Sequence, residues 1–261
     1  MEKKKSVRRI VLTLLAVFLA AVAVAAIIFK LYALDYYKAD VDSISSIKAS
    51  VGEGVASFSD EDFTVFVPGS EPEAVVVFYP GGKVEFSAYS GLMYELADRG
   101  YLCVLHRMPE NLAFLRIDAV DMMKERYPDR YEPLDKLDWF LAGHSLGGVA
   151  ASQYLAGHLE EKEFAGLILC ASYTTSDFSN SDLRLLSIYG SEDKVINMEN
   201  YEANKVNWPA DSLEYVIQGG IHSYFGNYGI QEGDGSPGIT NDEQIKETAD
   251  VIEKFIEKKN K

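Results

Sequence analysis

Ser145 stands in Gly143-His144-Ser145-Leu146-Gly147, a Gly-x-Ser-x-Gly pattern that follows an apolar run at 137–142 and precedes a helical pattern at 148–156. The apolar run reads as a buried strand, so the pattern looks like a nucleophile elbow. A serine held on a strained strand-to-helix turn projects its Oγ above a sheet, and only small flanking residues let the backbone pass so closely. A serine hydroxyl attacks a carbonyl only when a base takes its proton. That base in turn needs a carboxylate to set its tautomer and stabilise its charge.

The chain holds four histidines, which makes elimination possible. His144 lies inside the elbow and its side chain is expected to point away from the nucleophile. His106 closes a strand ahead of the serine, and His158 lies late in the helix after it, where a solvated or capping role fits. His222 remains, in the glycine-rich stretch Gln218-Gly219-Gly220-Ile221-His222-Ser223 just past a strand pattern. The acid belongs between serine and histidine at a strand end, and Ile188-Tyr189-Gly190-Ser191-Glu192-Asp193 supplies it. Asp193 is preferred to Glu192.

Stabilising the oxyanion takes two backbone N–H groups, one from the residue after the nucleophile and one from the loop after an earlier strand. Leu146 supplies the first. Pro80-Gly81-Gly82-Lys83 supplies the second, from Gly82 or Lys83. These residues need a frame that brings strand ends together. Alternating residues at 63–67 read as an early strand, and the continuous run at 74–79 as a buried central one. Strand and helix patterns then alternate: a helix at 86–99, a strand at 101–106, a helix at 113–126, the elbow strand and its helix. Strands at 166–171, 183–189 and 213–217 and a helix at 241–257 follow. Such alternation implies a mostly parallel sheet with helices on both faces, whose ligands sit outside the carboxyl ends of the strands.

With 261 residues, 48% of them hydrophobic, the chain buries a sizeable core and suits one large α/β domain. Its formal charge is −15, and with residues 1–29 set aside the remainder carries 20 basic against 39 acidic side chains. Nucleic acid, which needs a basic face, is excluded as a partner. The two cysteines, Cys103 and Cys170, fall in apolar runs that are not sheet neighbours, so free buried thiols are expected.

Residues 10–29 form a 20-residue stretch in which Thr13 is the one polar side chain, enough to cross a hydrocarbon core of about 30 Å. Lys3, Lys4, Lys5, Arg8 and Arg9 precede it, which holds residues 1–9 in the cytoplasm and sends the rest outside. The competing reading is a cleaved secretory signal, for which 21–23 and 23–25 offer small residues. Residues 30–50 are expected to be a stalk and 51–261 the catalytic domain.

Gly-His-Ser-Leu-Gly-Gly at 143–148, Gly-Ser-Glu-Asp-Lys-Val at 190–195 and the late His222 resemble the α/β-hydrolase superfamily in order and spacing, over about 51–258. Tyr79-Pro80-Gly81-Gly82-Lys83-Val84, 108–113, 222–229 and 231–235 look like a small bacterial branch of it. The resemblance implies an α/β-hydrolase fold, ester-type hydrolysis and a Ser145, Asp193, His222 triad. Many relatives insert a cap of helices after the strand ending near Ala171, but here about a dozen residues separate Ser172 from Leu183. No cap domain fits. An open site suits short-chain or bulky exposed esters, with Met108, Asn111, Tyr224, Phe225 and Tyr228 as expected pocket walls.

The stretch 231–235 sets Glu232 and Asp234 among glycines, yet supplies too few ligands for a calcium loop. It reads as a loop that positions His222 from behind, and no metal or cofactor is expected. The leading expectation is a membrane-anchored extracytoplasmic serine hydrolase acting on a small-molecule or lipid-like ester. An acyltransferase serving a cell-envelope acceptor, or an idle binding module, would carry the same residues.

Overall fold

The structure is a computed structural model describing residues 2–51, 54–127, 134 and 136–258. The side chains of Lys3, Lys4 and Lys5, on which the expected orientation partly rests, lie outside what it describes. Two units result, Met1–Tyr36 and Tyr37–Lys261. The first is a single helix, α1 (Glu2–Leu34). Among the described residues it is the one helix long and apolar enough to cross a membrane, over Arg8–Leu34.

The second unit is built on an eight-stranded sheet ordered β1-β2-β4-β3-β5-β6-β7-β8. β1 (Ala56–Ser59) and β2 (Phe63–Val67) enter antiparallel; β3 (Ala74–Tyr79), β4 (Tyr101–His106), β5 (Asp138–His144), β6 (Phe164–Cys170), β7 (Arg184–Gly190) and β8 (Ser212–Ile217) run parallel. Every residue of β3 is buried, because helices cover both faces and a strand so enclosed has no polar side to show. Successive side chains still alternate. Val76 and Phe78 join a core with α3 (Ser90–Asp98) and α7 (Asn241–Glu257), while Val75, Val77 and Tyr79 join one with α4 (Ala119–Arg126) and α5 (Leu146–Gly157).

Three local differences from expectation have physical causes. The edge strand β1 is four residues long and mostly exposed, so it has no apolar alternation to find. The expected helix at 113–126 is broken into a 3-10 turn (Ala113–Leu115) and α4. The stalk expected over 30–50 is shorter at its far end, since the chain joins the second unit from Tyr37. Tyr37 bridges to Val84, Asp40 N donates to Asn227 O, and Ile47 of α2 (Val41–Ser50) is buried in the core. A further helix, α6 (Met198–Asn204), follows β7. The connection 171–183 between β6 and β7 contains no helix, so no cap is inserted there.

The connections leaving β3 and β5 diverge: β3 leads to β4 on one side of the sheet, and β5 leads to β6 on the other. Such a divergence at the carboxyl ends of β3 and β5 is where open α/β sheets bind their ligands. Tyr79 and Gly143 are paired across it, so the chain leaves the sheet at Pro80 directly beside the departure of His144 and Ser145.

Candidate active site

Ser145 occupies the turn between β5 and α5 with φ 51° and ψ −121°, a conformation L-residues rarely adopt. Its neighbours explain how the turn closes. A Cβ on Gly143 would sit 2.6 Å from Gly147 O, and one on Gly147 would sit 2.1 Å from Tyr79 O, so both motif glycines are required by close backbone approach. Ser145 N donates to Cys170 O at 3.0 Å, and Ser172 Oγ donates to Ser145 O at 2.7 Å. The serine is thus fixed from both backbone sides while its hydroxyl makes no hydrogen bond with another described residue.

Asp193 follows β7 and His222 follows β8. Asp193 Oδ2 lies 2.9 Å from His222 Nδ1, with both side chains essentially withdrawn from solvent. The other carboxylate oxygen, Oδ1, accepts Val195 N and Ile196 N at 2.8 and 2.9 Å, which locks its rotamer. A carboxylate can only accept, so Nδ1 carries a proton, and in the neutral tautomer this selects, Nε2 is left as the lone-pair base.

Backbone support for His222 comes from behind, as expected of the stretch 231–235. Asp234 accepts His222 N at 3.1 Å, Ser223 N at 2.8 Å and Ser223 Oγ at 2.6 Å. Buried Gln244 of α7 grips the preceding residue twice, accepting Ile221 N at 2.9 Å and donating to Ile221 O at 2.8 Å. Sequence reasoning missed Gln244 and Ser172, since a lone amide in a helix and a serine after a strand carry no local signature.

Of the two N–H groups considered from the loop after β3, that of Lys83 is engaged, donating to Asn111 O at 2.9 Å. Lys83 is therefore withdrawn as an oxyanion donor. Gly82 lies against the residue after the serine: a Cβ built on it would meet Leu146 Cδ2 at 2.8 Å. Neither Gly82 N nor Leu146 N hydrogen-bonds to another described residue.

A family model described as the alpha/beta hydrolase family matches residues 75–246, a span containing Ser145, Asp193 and His222. The chain belongs to the alpha/beta hydrolase family. No curated protein matches it. Among solved structures, an esterase of Pyrobaculum calidifontis is similar with a TM-score of 0.57 at 16% identity, over 82% of this chain and 90% of that one. At that identity the likeness concerns the fold, and both comparisons agree with the expected α/β-hydrolase architecture.

In this alpha/beta hydrolase chain a cavity of about 220 Å³ joins the serine and the histidine. Ser145, Leu146, Val149, Ala171, Ser172, Tyr173, Val195, Ile196, Asn197 and His222 line it. None of the expected walls takes part. Met108 is buried in the core on the α5 side, and Asn111 is drawn aside by its carbonyl contact with Lys83. Phe225 packs its buried ring 5.6 Å from that of His144, and the Tyr224 carbonyl accepts Asn241 Nδ2. Buried Tyr228 likewise stacks toward Tyr37 and Tyr89. These aromatics anchor the histidine loop to the core. Besides the serine and the histidine, the walls are Leu146 and Val149 of α5 and the residues 171–173 after β6 and 195–197 after β7, too ordinary in sequence to stand out. A wider groove of about 500 Å³, lined among others by Leu155, Phe164 and Leu183, opens at the amino ends of β6 and β7, away from Ser145.

Proposed function

We propose that the protein is a serine hydrolase that cleaves a carboxylic ester through an acyl-enzyme intermediate. The observation that carries the reading is the buried 2.9 Å Asp193–His222 pair opening on the same cavity as Ser145. His222 Nε2 takes the Ser145 proton as Oγ attacks the carbonyl, then returns it to the departing alcohol. Water, deprotonated by the same nitrogen, releases the acid. Asp193 fixes the tautomer and offsets the charge His222 gains. The oxyanion of each tetrahedral intermediate is held by Leu146 N–H and Gly82 N–H.

We propose further that the enzyme is anchored: α1 spans the cytoplasmic membrane once, with the hydrolase unit on the outer side and a lipid-like or small ester as substrate. The basic residues before the apolar stretch support this orientation.

Labelling by a fluorophosphonate together with p-nitrophenyl acetate turnover tests the chemistry. Wild-type protein labels and turns over, and Ser145→Ala does neither while melting normally. A folded Ser145→Ala protein that still labels refutes the assignment.

A further inference from the structure

His144, which precedes the nucleophile and has no part in the triad, is buried and makes two hydrogen bonds that span the site. Tyr89 Oη lies 2.8 Å from His144 Nδ1, and His144 Nε2 lies 3.0 Å from the backbone carbonyl of His222. Tyr89 Oη also accepts Gly81 N at 3.0 Å. The directions follow from donor bookkeeping. The His222 carbonyl can only accept, so His144 carries its proton on Nε2. His144 Nδ1 is then a bare acceptor, and Tyr89 donates its hydroxyl proton there while receiving Gly81 N–H. Burial, reinforced by the adjacent His222, holds the His144 imidazole well below the usual histidine range, so the ring stays neutral.

One chain of hydrogen bonds therefore runs from Gly81 N–H through Tyr89 and His144 to the His222 carbonyl, crossing three loops that leave β3, β5 and β8. Gly81 precedes Gly82, the proposed second oxyanion donor, and His144 precedes the nucleophile. The rings of His144 and His222 stand 4.6 Å apart. Each end of the chain is a backbone group, and a backbone group moves with the functional group beside it.

We infer that Tyr89 and His144 are positioning residues that fix the distance between the Gly82 oxyanion donor and the His222 base, so that nucleophile, base and oxyanion hole keep one geometry. This rests on the reading of Ser145, Asp193 and His222 as a triad. Tyr89 and His144 touch no reacting atom and act through Gly81 and His222. Neither residue lines the cavity, so loss of either link is expected to change ground-state binding little. The loss falls on the transition state, which alone requires all three groups in register.

The experiment compares Tyr89→Phe, His144→Asn and His144→Gln with the wild type and Ser145→Ala. Asparagine retains an acceptor near Nδ1 and lacks the reach to His222, whereas glutamine carries an N–H toward the Nε2 position. Two readouts are taken: kcat and KM with p-nitrophenyl acetate, and the proton resonance of His222 Nδ1–H, whose hydrogen bond to Asp193 places it far downfield. The expected result is a kcat lower by about 10- to 100-fold in Tyr89→Phe and His144→Asn, with KM within about 3-fold of the wild type. His144→Gln recovers part of that loss, Tyr89→Phe combined with His144→Asn costs little more than either alone, and the His222 resonance shifts or broadens in step. Wild-type kcat and an unmoved resonance in folded Tyr89→Phe and His144→Asn overturn the inference. If instead the wild type neither labels nor turns over, the hydrolase reading fails by itself, and the resonance alone decides whether the chain positions His222.

Discussion

Asp234 holds His222 by the backbone while Asp193 holds it by the ring, so two carboxylates from different loops orient one imidazole at 3.1 and 2.9 Å. The division of labour has separable consequences. Asp234→Ala leaves the N–H groups of buried His222 and Ser223 without their acceptor. It is expected to cost about 1–3 kcal/mol of stability and to lower kcat about 10-fold or more with little change in KM. Thermal melts and steady-state kinetics check both halves.

Asp193→Asn acts differently. The amide keeps one oxygen for Val195 N and Ile196 N, so the turn survives, but its NH₂ then faces His222 Nδ1. The ring must present Nδ1 as acceptor and move its proton to Nε2, where it cannot serve as base. A fall in kcat of about 10³- to 10⁴-fold with near-native melting is expected. A variant within 10-fold of the wild type would show that Asp193 does not set the tautomer.

Much of this arrangement is legible in the residues themselves. The β3, β4 and β6 runs are nearly continuous and apolar, those of β5, β7 and β8 are interrupted by polar residues, and Ser145, Asp193 and His222 each lie just past one of these strands. What eluded the pattern is what packing decides. Val195, Ile196 and Tyr173 become cavity walls only because the β6 and β7 loops meet over Ser145. Met108, Asn111, Tyr224 and Phe225 were drawn to the site by their sequence neighbours, but tertiary contacts turn them into core or loop anchors. The engagement of Lys83 N–H depends on left-handed Lys83, Glu110 and Asn111 (φ 57°, 53° and 55°), of which only asparagine favours that conformation.

If the substrate is an ester, the cavity walls are expected to favour short acyl groups. Val149, Val195 and Ile196 bound a space of about 220 Å³, so acetyl to butanoyl esters are expected to be the best substrates. Where the space is filled, each further methylene costs about 10-fold or more in kcat/KM. A series of p-nitrophenyl esters measures this, and Ile196→Ala moves the optimum to longer chains.

His106 is expected to contribute to acid stability, alongside the equally buried His144. Its ring is buried against Phe63 and Tyr79, and its Nε2 has no partner among the described residues. Burial, with a smaller push from Arg116, lowers it from 6.5 to about 3. Between those values the unfolded chain binds a proton that the folded one refuses. The corresponding stability is complete above pH 6.5 and is lost as the pH falls from 6.5 toward 3. His106→Phe removes this dependence. Urea melts are expected to show a flatter pH profile and a relative gain of about 2 kcal/mol at pH 5.

The most direct test of the central claim is peptide mapping of the acyl-enzyme trapped by acid quench during p-nitrophenyl acetate turnover. The acetyl group is predicted on the peptide containing Ser145, on its hydroxyl, and on no other residue. A productive wild-type enzyme that carries its acetyl elsewhere, or carries none at any quench time, would contradict the account.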